Sequence, residues 1–204
     1  MREVFHQSLE DVQSRLVEIA ELVSVAIEQA TRAFGTSDVA LAEEVIEADH
    51  VIDDKAIALD ELAIQILARQ QPVARDLRIV VAALRISASL ERMGDIAEHI
   101  AQLTRMRFPE RAIPKGLKST FTHMGELDVE VARVLTELPR TEDLSLAETL
   151  RALDDQLDDQ RFLQRRHTAA HHRLARRRKL EKERRKVRMQ RPDLRVQRRH
   201  GMQA

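Results

Sequence analysis

The sequence predicts an all-α protein. Apolar residues recur at steps of three and four over long stretches, which places them on one face of a helix. The chain has 5 glycines and 5 prolines in 204 residues, so few turns are available and the helices must be long. No segment alternates apolar and polar residues with the period of two that is typical of a strand.

Three long amphipathic helices are predicted in the first half of the chain. Their apolar stripes cover residues 9–34, 41–66 and 79–100, and the second stripe includes Ala48 as a core position. The turn after Gly35 separates the first two helices, and Pro72 separates the second from the third. Helices of about 30 residues are roughly 45 Å long, and three of them joined by short turns predict an antiparallel bundle. The expected core positions of the third helix are Ile79, Ala83, Ile86, Leu90, Met93, Ala97 and Ile100.

The second half of the chain predicts an incomplete copy of this bundle. A fourth helix follows from residue 117 and is expected to end at Pro139, and a fifth carries a leucine stripe over 146–157. Asp154 and Asp158 repeat the spacing found earlier in the second helix, but no sixth helix is recognisable. We therefore expect a first three-helix repeat over 1–106, a linker over 107–116, a partial second repeat over 117–160 and an Arg-rich tail over 161–204.

Charge is divided unevenly between the tail and the rest of the chain. Residues 1–160 hold 31 acidic and 17 basic side chains, whereas residues 161–204 hold 3 acidic and 17 basic ones. The abrupt change at Gln160 has two interpretations. The tail is either an out-of-frame reading of the gene or a basic arm that binds nucleic acid or anionic lipid through phosphate groups.

Composition excludes several classes of chemistry. Because the chain has no cysteine, it has no disulfide scaffold, no thiolate nucleophile and no cysteine-ligated zinc site. We find neither a phosphate-binding glycine loop nor a nucleophile elbow, so an enzyme is not expected. The first residues lack a signal-peptide core and no apolar stretch is long enough to span a membrane, which predicts a cytoplasmic protein.

Pairs of carboxylates four residues apart are the candidate metal ligands. Residues at this spacing share a helix face, so each pair can present two oxygens to one cation. Pairs of acids occur about as often as chance predicts in so acidic a chain, so a solvated acidic face is the alternative interpretation. The pairs are Asp49 with Asp53, Glu91 with Asp95, and Asp154 with Asp158, and His99 is an additional candidate ligand one turn after Asp95.

A ferritin-like metal-binding or oxidase bundle is an alternative function. Glu47 and His50 have the Glu-x-x-His spacing of carboxylate-bridged di-iron bundles. Such a site needs two copies of the motif on facing helices, and the sequence holds one. The second alternative, a nucleic-acid-binding protein, depends only on the basic tail.

Three motifs together resemble the PhoU family of accessory regulators of phosphate uptake. They are Asp49-x-x-Ile52-Asp53, RQQPVARDLR at 69–78 and LERMGDIAEHIA at 90–101. The similarity in type and order extends from about Phe5 to residue 159. It implies two three-helix bundles in tandem, of which the second here lacks a recognisable last helix.

The resemblance also implies a function, partners and ligands. PhoU proteins are cytoplasmic, often dimeric, and couple the phosphate ABC transporter, through its ATPase subunit, to a membrane sensor histidine kinase. They keep phosphate-starvation genes silent when phosphate is plentiful, so this chain would be a negative regulator and peripheral to the membrane through its partners. The family's acidic motifs hold iron or zinc clusters, which would assign the three carboxylate pairs above as ligands. Nucleic acid would be a partner only if the tail is genuine.

Overall fold

The computed structural model describes residues 2–113, 116–141, 143–162 and 181, and five helices lie within these residues. They are α1 (Arg2–Thr36), α2 (Val39–Gln70), α3 (Ala74–Arg107), α4 (Lys118–Thr141) and α5 (145–162). The described residues contain no strand, and the all-α prediction is confirmed.

Helix α1 is the centre of the fold, since it packs against α2, α3 and α4. The apolar stripes predicted for α1 and α2 form most of the main core, with Ile19, Val45 and Leu59 almost completely buried. Ala48 is the exception, because it is exposed beside the core rather than in it.

Short turns reverse the chain between the first three helices. After α1, Ser37 adopts a left-handed conformation with φ 62°, and the Asp38 carboxylate accepts a hydrogen bond of 3.1 Å from the backbone N–H of Leu41. This bond caps the first turn of α2. Between α2 and α3, Gln71 and Ala74 have φ values of 45° and 49°. Two left-handed residues therefore turn the chain at this corner, where non-glycine residues adopt such angles only at a cost.

The buried face of α3 agrees with the predicted one at Ala83, Leu90 and Ala97 and differs from it at Ile79 and Ile86. Ile79 and Ile86 are 39% and 46% exposed, whereas their neighbours Val80 and Ser87 are almost completely buried. Small side chains dominate the face that packs on α1 and α2, so the helices approach closely and the large isoleucines lie beside the contact. The buried residues are Val80, Ala83, Ser87, Leu90, Gly94, Ala97, Ala101 and Thr104.

Helix α4 packs along α1 and continues past Pro139, which the sequence predicted as its end. The last turn is held by side chains: Thr141 Oγ1 donates to the carbonyl of Glu137, and Arg140 pairs with Glu137 and with Glu21 of α1. Gln13 Nε2 also donates to the carbonyl of Pro139 at 2.6 Å. The carbonyls of Glu137 and Pro139 belong to the last turn of α4, where carbonyl groups lack partners within the helix, and these side chains satisfy them.

A second, smaller core lies between α4 and α5. It contains Leu127, Leu153 and Leu157, with Val131 and Val134 packed against it. Residues 1–160 form one compact unit. The division of 1–160 into two repeats remains a prediction, and both interpretations of the tail concern residues that, with few exceptions, lie outside the described ones.

Candidate metal centre

Three carboxylates from two helices meet at the contact between α2 and α3. Asp49 and Asp53 lie one turn apart on α2, and Asp95 lies opposite on α3. One oxygen from each residue lies within 4.8 Å of the other two, and all three residues are partly buried. The structure thus brings together one predicted pair and half of a second.

A glycine allows α3 to approach the acidic turn of α2. Gly94 is buried, and a Cβ atom at this position would lie 3.3 Å from Asp49 Oδ1 and 3.1 Å from Ile52 Cδ1. Ile52 lies between the two aspartates in the sequence. Its side chain is buried in the main core and anchors this turn of α2 there. Because an apolar side chain and a helix backbone cover one side of Asp49, part of its hydration is lost.

The electrostatics of the cluster follow from this arrangement. The pKa of Asp49 is raised to about 6, first by burial and then by the carboxylates of Asp53, Glu98, Asp95 and Glu91, in that order. The pKa of Glu91 is also raised, first by desolvation and then by Asp95 and Asp53. Like charges that share a partly desolvated site repel one another, and each then binds a proton more readily.

The chemistry of these side chains fits a divalent cation. All the converging atoms are carboxylate oxygens, which suit hard ions such as magnesium, calcium and manganese and are also found as ligands of zinc. Two positive charges would offset the repulsion that raises the pKa of Asp49. Asp49, Asp53 and Asp95 are therefore the residues of this chain that would hold the ion.

Two other predicted residues of this region lie differently. Glu91 is close enough to Asp95 and Asp53 for them to raise its pKa, but it is not one of the three residues whose oxygens converge. His99 is exposed and is also outside that group. Glu98, which sequence reasoning missed, is partly buried and raises the pKa of Asp49. Its position one turn after Asp95 was the signal that could have identified it.

The carboxylate pair predicted in the second repeat is not part of this cluster. Asp154 and Asp158 are both exposed on α5, next to the buried Leu153 and Leu157. Within the described ranges, neither belongs to a group of three potential ligands.

The Glu-x-x-His motif is exposed as well. Glu47 and His50 lie on the outer side of α2, and His50 Nδ1 lies 2.5 Å from the carbonyl of Glu47 in its own helix. Neither residue is in the group that Asp49 forms. The geometry therefore lends no support to a di-iron centre at this motif.

The chain is similar to proteins of one family along most of its length. The model of the PhoU domain matches residues 16–104, which include the three aspartates of the cluster. The phosphate-specific transport system accessory protein PhoU homolog 2 of Mycobacterium tuberculosis is 36% identical over 159 residues, which cover 78% of this chain and 75% of that protein. The chain belongs to the PhoU family. PhoU homolog 1 of Mycobacterium leprae is 35% identical over 159 residues, covering 78% of this chain and 72% of its own.

Solved PhoU structures have the same fold. The crystal structure of PhoU from Pseudomonas aeruginosa matches with a TM-score of 0.72 and 30% identity, over 76% of this chain and 74% of that one. PhoU of Streptococcus pneumoniae, described as a phosphate transport system regulatory protein, matches with a TM-score of 0.69 at 24% identity, over 78% and 74% of the two chains. The names given to these relatives describe accessory and regulatory proteins rather than enzymes. Among the described helices of this PhoU chain, none is long and apolar enough to cross a membrane.

Proposed function

We propose that this chain is an accessory regulator of phosphate uptake and a negative regulator of phosphate-starvation signalling. The observation that carries the proposal is the 36% identity to a phosphate-specific transport system accessory protein over 159 residues. That similarity covers 78% of this chain and 75% of the relative. Regulation here needs binding surfaces rather than a catalytic site, and long exposed helices provide them.

The partners in this proposal are the ATPase subunit of the phosphate ABC transporter and a sensor histidine kinase. Binding to the kinase would favour its silent state when phosphate is plentiful, and binding to the ATPase would link that state to transport. The protein acts near the membrane through these partners, and it does so as a homodimer.

A cation would contribute to this function by joining two helices. Asp49 and Asp53 would hold it from α2 and Asp95 from α3, and the ion, whether iron, zinc or a harder cation, would supply charge neutralisation and a cross-link. The residues themselves keep α2 and α3 in register through Ile52 and the close contact at Gly94. A rigid α2–α3 pair presents a constant surface to a partner.

The test is deletion and complementation in the organism that carries the gene. Deleting the gene should switch on a phosphate-starvation reporter in phosphate-rich medium, and the full chain should silence it again. Co-purification from the complemented strain should recover the ATPase subunit and the kinase. A reporter that stays silent after deletion would contradict the regulatory proposal, whereas silencing without recovery of either partner would contradict only the proposed partners.

A matched pair of variants separates the metal from the regulation. Asp53→Asn alters the cluster, whereas Asp54→Asn changes the exposed neighbouring acid that lies outside it. If both variants silence the reporter equally, the cation has no part in signalling. The ferritin-like alternative predicts oxygen consumption when ferrous iron is added to the purified protein, and a chain that consumes none excludes it.

A further inference from the structure

One side of α3 carries arginines that the fold does not use. Arg75, Arg78 and Arg85 are exposed, and none of them forms an ion pair with a residue in the described part of the chain. Arg78 and Arg85 are seven residues apart, or about 10 Å along the helix, and so lie on the same side of it. In a chain whose residues 1–160 are strongly acidic, this is a local region of positive charge.

An apolar groove lies on the side of α3 that carries Arg75. It lies between the first half of α1, the first half of α3 and the end of α4, and has a volume of about 540 Å³. Arg75 lines the groove on the α3 side, while His6 and Glu10 line it on the α1 side. The apolar walls are formed by Leu9, Leu16, Ile79, Ala82, Ile86 and Pro139.

The groove explains why Ile79 and Ile86 are exposed. Their side chains are 39% and 46% accessible although they belong to the hydrophobic pattern of α3. They form a wall of the groove instead of packing in the main core. Large apolar side chains that stay accessible together, with polar groups around them, are typical of a protein-interaction site.

We propose that this groove binds an amphipathic helix of a partner protein that carries acidic residues along one edge. The apolar side of the partner helix would lie against Ile79, Ile86 and the α1 wall, as in other helix-in-groove complexes. Its carboxylates would lie toward Arg78 and Arg85. Ala82 is one turn from both of these arginines, so a helix seated on Ala82 has them at its side.

Charge complementarity selects this occupant over others. A helix with a basic edge would meet three arginines, and like charges at an interface oppose binding. An acidic helix would be repelled by most of the surface of residues 1–160, which leaves the arginine side of α3 as the favourable site. This surface and the chemistry of its partner are independent of which proteins the accessory role involves.

The experiment uses the full chain and a designed peptide. Because the chain has no cysteine, Ala82→Cys gives a single attachment point for an environment-sensitive fluorophore within the groove. The peptide is an amphipathic helix of about 18 residues, roughly 27 Å long, with leucines on one side and glutamates along one edge. The matched peptide has lysines in place of the glutamates. Label at the exposed Ala40 of α2 is the control for position.

We expect saturable binding of the acidic peptide, reported by the Ala82 label and not by the Ala40 label, and weaker binding as salt is added. Ile86→Glu and the double change Arg78→Glu with Arg85→Glu should each weaken it at least about tenfold, which corresponds to about 1.4 kcal/mol. Arg151→Glu, which reverses an exposed arginine on α5, should leave it unchanged. Anisotropy of a labelled acidic peptide with the unlabelled chain provides a second readout that does not depend on the Ala82 substitution.

Three outcomes would overturn the proposal. They are absence of saturable binding of the acidic peptide in both readouts, equal binding of the acidic and basic peptides, and unchanged binding to Ile86→Glu. Ile86 and the two arginines are accessible in the folded chain, so these variants are expected to fold, and circular dichroism with a thermal melt verifies this. If Ile86→Glu were unfolded, the double arginine variant alone would decide the outcome.

Discussion

Gly94 of α3 lies directly against Asp49 of α2. A Cβ atom at position 94 would come within 3.3 Å of Asp49 Oδ1 and within 3.1 Å of Ile52 Cδ1. The residue that allows two helices to pack closely is thus also the residue that places a helix backbone beside a carboxylate. The contact between Gly94 and Asp49 therefore affects both the packing of α2 against α3 and the electrostatics of the acidic cluster.

Gly94→Val should destabilise the protein by about 2 kcal/mol, because overpacking a tight helix contact typically costs 1–3 kcal/mol. Gly35→Val is the matched control, since a Cβ at Gly35 meets nothing within 4 Å. Urea denaturation of both variants measures the difference. If the two variants have the same free energy of unfolding, the close contact at Gly94 does not restrict the size of the side chain at this position.

The sequence predicted the helices better than it predicted which side of α3 is buried. The stripes of α1 and α2 are rich in large apolar residues, and apart from Ala48 their burial follows from periodicity. In α3 the buried positions Ser87 and Gly94 carry little hydrophobic signal, while the conspicuous Ile79 and Ile86 lie beside the contact. Close packing of small residues depends on the neighbouring helix, which the pattern of one helix does not contain.

The candidate site was predictable only in part for a similar reason. The spacing of Asp49 and Asp53 placed both on one side of α2, but spacing could not show that Asp95 would meet them while His99 would not. Asp95 and His99 share one face of α3 and lie about 6 Å apart along its axis, so that choice depends on the position of α3 along α2. The close contact of Gly94 with Asp49 places Asp95 beside the acidic turn. The exposed Asp154 and Asp158 have the same spacing, which shows that spacing alone does not assemble a cluster.

Asp49 should make stability fall as the pH rises from about 4 to 7 in the absence of divalent cations. Its folded pKa of about 6 lies above the ordinary value of 3.8 for an aspartate, so the folded state binds more protons than the unfolded state between these values. Stability therefore decreases as the pH rises through this window. Full conversion of the shift would give about 3 kcal/mol, and solvent screening of a partly exposed group reduces this to about 1–2 kcal/mol.

Urea denaturation in the presence of a chelator, repeated across this pH range, measures the effect as a difference between the wild type and Asp49→Asn. The variant should be more stable than the wild type at pH 7, and the difference should disappear near pH 4. Asp54→Asn, an exposed neighbour with no part in the cluster, should show no such trend. A difference that does not depend on pH would argue against an elevated pKa at Asp49.

Divalent cations should raise the melting temperature of the wild type through the three converging aspartates. Asp49→Asn with Asp53→Asn removes two of the three carboxylates, so this stabilisation should be lost. Asp154→Asn with Asp158→Asn makes the same change to the exposed pair of α5 and should retain it. Thermal melts with and without added metal test both variants. If both lose the stabilisation equally, the cations bind to the acidic surface in general and not to the cluster.

Ser87→Ala should stabilise the protein by about 0.5–1 kcal/mol. Ser87 is 1% exposed, and its hydroxyl oxygen has no hydrogen-bond partner among the described residues. A buried hydroxyl without a partner costs free energy that the smaller apolar side chain does not incur, and alanine is also the better helix former. Thr104→Ala is the contrast, because Thr104 Oγ1 donates to the carbonyl of Ile100 at 3.0 Å. Chemical denaturation that finds Ser87→Ala destabilising would indicate that the hydroxyl is satisfied in solution.

Gly125 should allow α1 and α4 to pack closely, as Gly94 does for α2 and α3. A Cβ atom at Gly125 would lie 2.4 Å from Thr31 Cγ2, closer than two carbon atoms can approach. Gly125→Ala should therefore cost about 1–2 kcal/mol, although alanine is the better helix former by about 1 kcal/mol. Thr31→Ser removes the methyl group that the new Cβ meets and should restore most of the loss. A double-mutant cycle by urea denaturation measures this coupling, and strict additivity of the two changes would place the clash elsewhere.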